Sequence, residues 1–154
     1  MESNIHISDI LKPKTEKEII KEISKLSKGE LNKKFFEAVK YNNSCLINLL
    51  IDAGANVNYS PFTIQAIHYI VFDKYLNLVE KLINAGANIN HQDGTGWTPL
   101  HYAVYDEQIK CIKLLLKHHV IINNKTDRGK TPLNLAKELN NKYIIELLER
   151  HGAI

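Results

Sequence analysis

Thr98-Pro99-Leu100-His101-Tyr102-Ala103-Val104 is the stretch on which the fold turns, because the chain uses it more than once. It returns 33 residues later as Thr131-Pro132-Leu133-Asn134-Leu135-Ala136. The looser Gln65-Ala66-Ile67-His68-Tyr69-Ile70-Val71 stands 33 residues earlier. Thr98 and Thr131 are residues of the kind that cap a helix, and a proline at the first helical position sacrifices no hydrogen bond. Leu100, Ala103 and Val104 then share one helical face. The register holds a small residue at Ala38, Ala103 and Ala136, where adjacent helices must approach closely, with Ile70 as the exception. A second apolar stripe follows at Ile109, Ile112, Leu115 and Leu116.

A second phrase repeats with the first. Ala53-Gly54-Ala55-Asn56-Val57-Asn58 recurs as Ala85-Gly86-Ala87-Asn88-Ile89-Asn90, then as His118-His119-Val120-Ile121-Ile122-Asn123, and finally as His151-Gly152-Ala153-Ile154. Gly54, Gly86 and Gly152 stand where a helix is expected to end in left-handed backbone. His119 occupies that place in the third unit, and strain is expected there. The box, the phrase and the common period resemble ankyrin repeats over residues 31–154. The resemblance implies an all-α solenoid of four units, about 31–60, 61–92, 93–125 and 126–154. Each unit would be a β-turn finger followed by two antiparallel helices.

Unit one departs from the pattern, reading Lys33-Lys34-Phe35-Phe36 where the box should fall. Such degeneracy suits a terminal unit with a wettable outer face. Before it lies an N-terminal segment, residues 1–30. Thr15-Glu16-Lys17-Glu18 has the form of a capping box, which predicts a helix over 15–27 carrying Ile19, Ile20, Ile23 and Leu26. Ser27-Lys28-Gly29-Glu30 is read as its end. Residues 1–13 are polar and Ile-rich, closed by Pro13.

Composition narrows the function classes. The chain has 154 residues, 44% hydrophobic and 24% charged, an ordinary mix for a globular protein. No apolar run is long enough to span a membrane, and the start of the chain lacks the apolar region of a secretory signal. With only Cys45 and Cys111, a disulfide framework is not expected and a reducing, cytoplasmic setting is. Both thiols are expected in or near the core, too far apart to bond. The 20 basic and 17 acidic side chains leave a net charge of +3. Nine lysines fall within residues 1–40, but seven acids are interleaved, so no nucleic-acid surface is expected.

Catalysis has little to stand on. No phosphate-binding loop, dinucleotide fingerprint, zinc-protease helix or nucleophile elbow is present. His68 and His101 share one repeat position and His118 and His151 another, which places each pair about 8–10 Å apart in stacked helices. Two ligands of one zinc ion each lie about 2.1 Å from it, so neither pair is a metal site. No catalytic residue, metal or cofactor is expected.

Partner binding is the positive reading. By the family register, finger tips and the exposed edge of each inner helix face the concave surface. Those places hold Phe62, Ile64 and Phe72 in unit two, Trp97, Tyr105 and Asp106 in unit three, and Arg128, Lys130 and Glu138 in unit four. Aromatic and Arg side chains are what interface hot spots favour. Trp97 is expected at a finger tip with little support from the core, so that truncating it should cost the fold almost nothing. Asn58, Asn90 and Asn123 each follow Val or Ile and lie eight residues after a leucine. They resemble the asparagine that a cytosolic oxygenase hydroxylates in animal ankyrin repeats. The resemblance thus implies a monomeric, non-catalytic module that binds a protein partner, with neither nucleic acid nor membrane. A regulatory inhibitor that occludes its partner and a purely structural scaffold are the alternatives. The chain is rich in Ile, Asn and Lys, the residues of AT-rich codons. Repeat proteins with that bias occur as host-directed effectors, which extends the expectation to the cytosol of a host cell.

Overall fold

The structure, a computed structural model, describes residues 14–72 and 75–154. Among these residues there are nine helices and no strand, and no helix is long and apolar enough to cross a membrane. Helix α1 (Glu16–Ile23) opens on the expected capping box, in which Thr15 accepts the Glu18 N–H and the Glu18 carboxylate accepts the Thr15 N–H. It then stops at Ile23, short of the expected residue 27. Ser27 does not end α1 but opens α2 (Lys28–Lys40), with a second capping box closed by Glu30. The reciprocal pair satisfies two orphan N–H groups at once, which outweighs the entropy cost of Gly29 in the first turn. The division drawn after residue 30 therefore falls inside α2. Helix α1 buries Ile23 and half-buries Ile19, while Ile20 is exposed; Leu26, in the link after it, is half-buried against the same core.

Helices then come in antiparallel pairs. Helix α2 pairs with α3 (Ser44–Asp52), α4 (Ala66–Phe72) with α5 (Leu76–Asn84), α6 (Pro99–Tyr105) with α7 (Ile109–Lys117), and α8 (Pro132–Glu138) with α9 (Lys142–Arg150). Contacts run within each pair and between successive pairs, α2 to α4 to α6 to α8 in one layer and α3 to α5 to α7 in the other. A single core threads the stack, with Phe35, Leu50, Ile67, Leu82, Leu100, Ile112, Leu133 and Leu148 fully buried. Each such side chain contributes about 1.5–3 kcal/mol of burial, so stability accumulates unit by unit. Cys111 belongs to this core, and burial pushes its thiol up to about 12. Cys45 does not, contrary to expectation. It lies two residues before the buried Ile47 on α3, about 200° around the helix, and is exposed.

Backbone conformation closes each unit. His119 has φ 58°, the left-handed value expected from its register with Gly54, Gly86 and Gly152. Asn42, Glu107 and Asn140 are also left-handed, in the turns that join paired helices. Successive units are stitched by asparagines. Asn58 Oδ1 accepts the Asn88 N–H at 2.8 Å, Asn90 Oδ1 the Ile121 N–H at 2.7 Å, and Asn123 Oδ1 the Ile154 N–H at 3.1 Å. Within unit one, Asn32 Oδ1 likewise accepts the Asn56 N–H at 2.8 Å.

Candidate functional site

Finger three is organised by one carboxylate. Asp93 accepts the Thr95 N–H at 2.8 Å, the Thr95 hydroxyl at 2.8 Å and the Trp97 N–H at 3.0 Å, and its second oxygen accepts the Tyr102 hydroxyl at 2.6 Å. Burial acts to raise its pKa, but the hydrogen bonds from Tyr102, Thr95 and Trp97 together hold it below the ordinary carboxylate value. The Tyr102 phenol is displaced upward by burial and by Asp93, and so remains a donor. The finger is thereby anchored to α6.

Finger three also touches finger four. The Asp127 N–H donates to the Thr95 carbonyl at 3.1 Å. This approach requires Gly96, whose φ is 76° and where a Cβ would stand 2.7 Å from the Asp127 nitrogen. Below the contact, the Thr98 N–H donates to His101 Nδ1 at 3.1 Å, which leaves Nε2–H to donate to the Lys130 carbonyl at 3.1 Å. His68 repeats the pattern one unit earlier, with Nε2 3.0 Å from the His91 carbonyl. Burial holds both imidazoles below the ordinary histidine value and thus neutral.

Between these two fingers and their inner helices lies a groove of about 540 Å³. Leu135 and Leu139 form its floor, Trp97 and Tyr105 one wall, and Arg128, Lys130 and Glu138 its rim. Lys130 Nζ lies 2.8 Å from Glu138 Oε1, an ion pair that ties finger four to α8. Asp127 and Arg128 keep side chains without an ion pair or hydrogen bond among the described residues. Five of the nine candidate partner-binding residues, Trp97, Tyr105, Arg128, Lys130 and Glu138, thus meet at one place.

The other four stand apart. Phe62 is 68% exposed on finger two and leans on Phe36 at 6.0 Å. Ile64 is half-buried in the same finger, where its carbonyl accepts the Ser60 hydroxyl. Phe72 is exposed and meets Tyr102 edge-on at 6.4 Å. Asp106 accepts from Gln108 at the end of α6. Asn58, Asn90 and Asn123, the candidates for hydroxylation, use their side-chain amides in the stitches between units.

Trp97 itself departs from expectation. Its ring is half-buried, 5.1 Å from Tyr102, 5.5 Å from Tyr105 and 5.9 Å from His101. Asp93 pulls its backbone in, and the ring folds over α6 instead of projecting from the finger. Asp93 and Leu135 are among the site residues that sequence reasoning missed, with Thr126, Asp127 and Leu139. An Asp before Gly94-Thr95-Gly96 is a turn signal, and it could have revealed the first. The second is visible only as a break in the row Tyr69, Tyr102, Leu135.

A family model described as ankyrin repeats, in three copies, matches residues 35–119 and 67–153. A search of curated proteins found no match.

Proposed function

Because the chain belongs to the ankyrin-repeat family, whose members are generally protein–protein interaction modules, we propose that it binds a partner protein without acting on it chemically, and does so in the groove between the third and fourth fingers. The observation that carries this reading is the convergence of side chains the fold does not need. Tyr105 stays 55% exposed beside an unfilled apolar floor, and Arg128 stands over it unpaired. A half-exposed ring next to a cavity is costly to hydrate and well suited to burial by a partner.

Affinity capture with two baits tests the proposal. The variant Tyr105→Ala with Arg128→Glu changes exposed side chains, so its melting temperature should fall by no more than a few degrees, the cost of the Tyr105 edge contact with Trp97. Its affinity for the protein the parent captures should fall at least thirtyfold, about 2 kcal/mol. Phe62→Ala, on the separate patch of finger two, should bind as the parent does. Loss of capture with Phe62→Ala alone would move the interface to finger two.

A further inference from the structure

We infer that the group seated in this groove is an aromatic side chain of the partner, one that continues a row of rings the protein's own sequence interrupts. The inference rests on the groove being the interface. Tyr69, Tyr102 and Leu135 occupy one position in successive units. Between fingers two and three the seat is filled from within, by the Tyr102 ring. That ring lies 6.4 Å from Phe72, 5.7 Å from His68 and 5.1 Å from Trp97. One unit further on, the corresponding residues are Tyr105, His101 and Lys130. Of these, Tyr105 and Lys130 line the groove, so the seat keeps an exposed ring and an aliphatic stem, while its occupant has shrunk to Leu135. The groove of about 540 Å³ is the consequence.

Charge on the rim points the same way. Lys130 and Glu138 neutralise each other, and the two unpaired groups, Asp127 and Arg128, are adjacent and opposite in sign. A rim without net charge selects its ligand by shape and ring contact, not by an ion pair. Thr126 stands one repeat after Asp93, is 6% exposed and lines the groove. Its hydroxyl accepts the Lys130 N–H at 3.2 Å and so braces finger four beside the groove. An aromatic side chain of the partner would bury about 150–250 Å² there and meet the rings of the wall edge-on.

Nuclear magnetic resonance titration of the full chain with capped pentapeptides tests this. The peptides carry Tyr, Trp, Leu or Asp between pairs of alanines. Tyr and Trp peptides should bind at least tenfold more tightly than Leu and Asp peptides, shift the Trp97 indole N–H, and be indifferent to salt. Leu135→Tyr should fill the seat from within and abolish that binding without lowering the melting temperature. Tyr105→Ala, which removes the wall, should weaken it as well. Equal or tighter binding by the Leu peptide overturns the inference. So does salt-sensitive preference for the Asp peptide, or the absence of saturable binding by all four. The partner itself separates this failure from that of the broader proposal. Capture lost with Arg128→Glu but kept with Leu135→Tyr would retain the groove and exclude the ring. Capture insensitive to both would place the interface elsewhere.

Discussion

Replacing Asp93 should unfasten the finger that walls the groove. Four hydrogen bonds end on this carboxylate, from Thr95 N–H, Thr95 hydroxyl, Trp97 N–H and Tyr102 hydroxyl. In Asp93→Ala the Thr95 donors are exposed and can return to water, so their loss costs little. The Trp97 N–H and the Tyr102 hydroxyl are half-buried and cannot rehydrate as freely. Hydrogen bonds to a charged group are worth about 1.5–3 kcal/mol, and the lower end suits a partly exposed site. Two such bonds put the cost of Asp93→Ala at about 3 kcal/mol. For a chain of this size that is a fall in melting temperature of roughly 6–12 °C. Asp93→Asn keeps an oxygen for the Thr95 and Trp97 N–H groups and presents an amide to Tyr102, whose hydroxyl can turn and accept. It should cost about half as much. Calorimetry of the two variants beside the parent measures both values. Trp97 fluorescence reports whether the ring has lost its seat on Tyr102. An Asp93→Ala protein melting within about 1 °C of the parent would refute the assignment, as would Asn and Ala variants of equal stability.

Trp97→Ala removes a half-buried ring packed on Tyr102, Tyr105 and His101, and should cost about 2 kcal/mol, below the 3–5 kcal/mol of a fully buried aromatic; denaturant titration checks it. His119→Gly relieves a left-handed non-glycine residue and should stabilise the chain by about 0.5–1 kcal/mol, read as a higher melting temperature. For pH, His68 and His101 are held neutral by burial, below the ordinary value of about 6.5, so the unfolded chain takes up protons that the folded one refuses. Stability should be full above about pH 6.5 and decline as the pH falls below it. His101→Asn should flatten that decline, since Asn134 makes the same cap with Thr131 in unit four. Melting temperatures from pH 8 to pH 5 for parent and variant test the sign.

The repeat of 33 residues was enough, by itself, to determine the helices, their pairing and most of the core. Thr98 and Thr131 cap, Pro99 and Pro132 begin, and the apolar residues fall at helical spacing, all through interactions within one unit. His119 could be assigned to left-handed backbone for the same reason, since the end of a helix is a local event. The first boundary differs because Ser27-Lys28-Gly29-Glu30 reads as an end, whereas Ser27 and Glu30 close a capping box that opens the next helix. Cys45 was misplaced because an apolar type was taken for a buried position. The site obeyed different rules. Trp97 counted as exposed on register alone, and only folding showed the carboxylate that draws its backbone in and the Tyr102 ring that receives it. The groove exists because a leucine of unit four faces space that a tyrosine fills one unit earlier. Period and propensity describe what a segment does with its own neighbours in the chain. Whether a gap between units is filled depends on side-chain volumes meeting from two units at once, and that is decided only when the units stack.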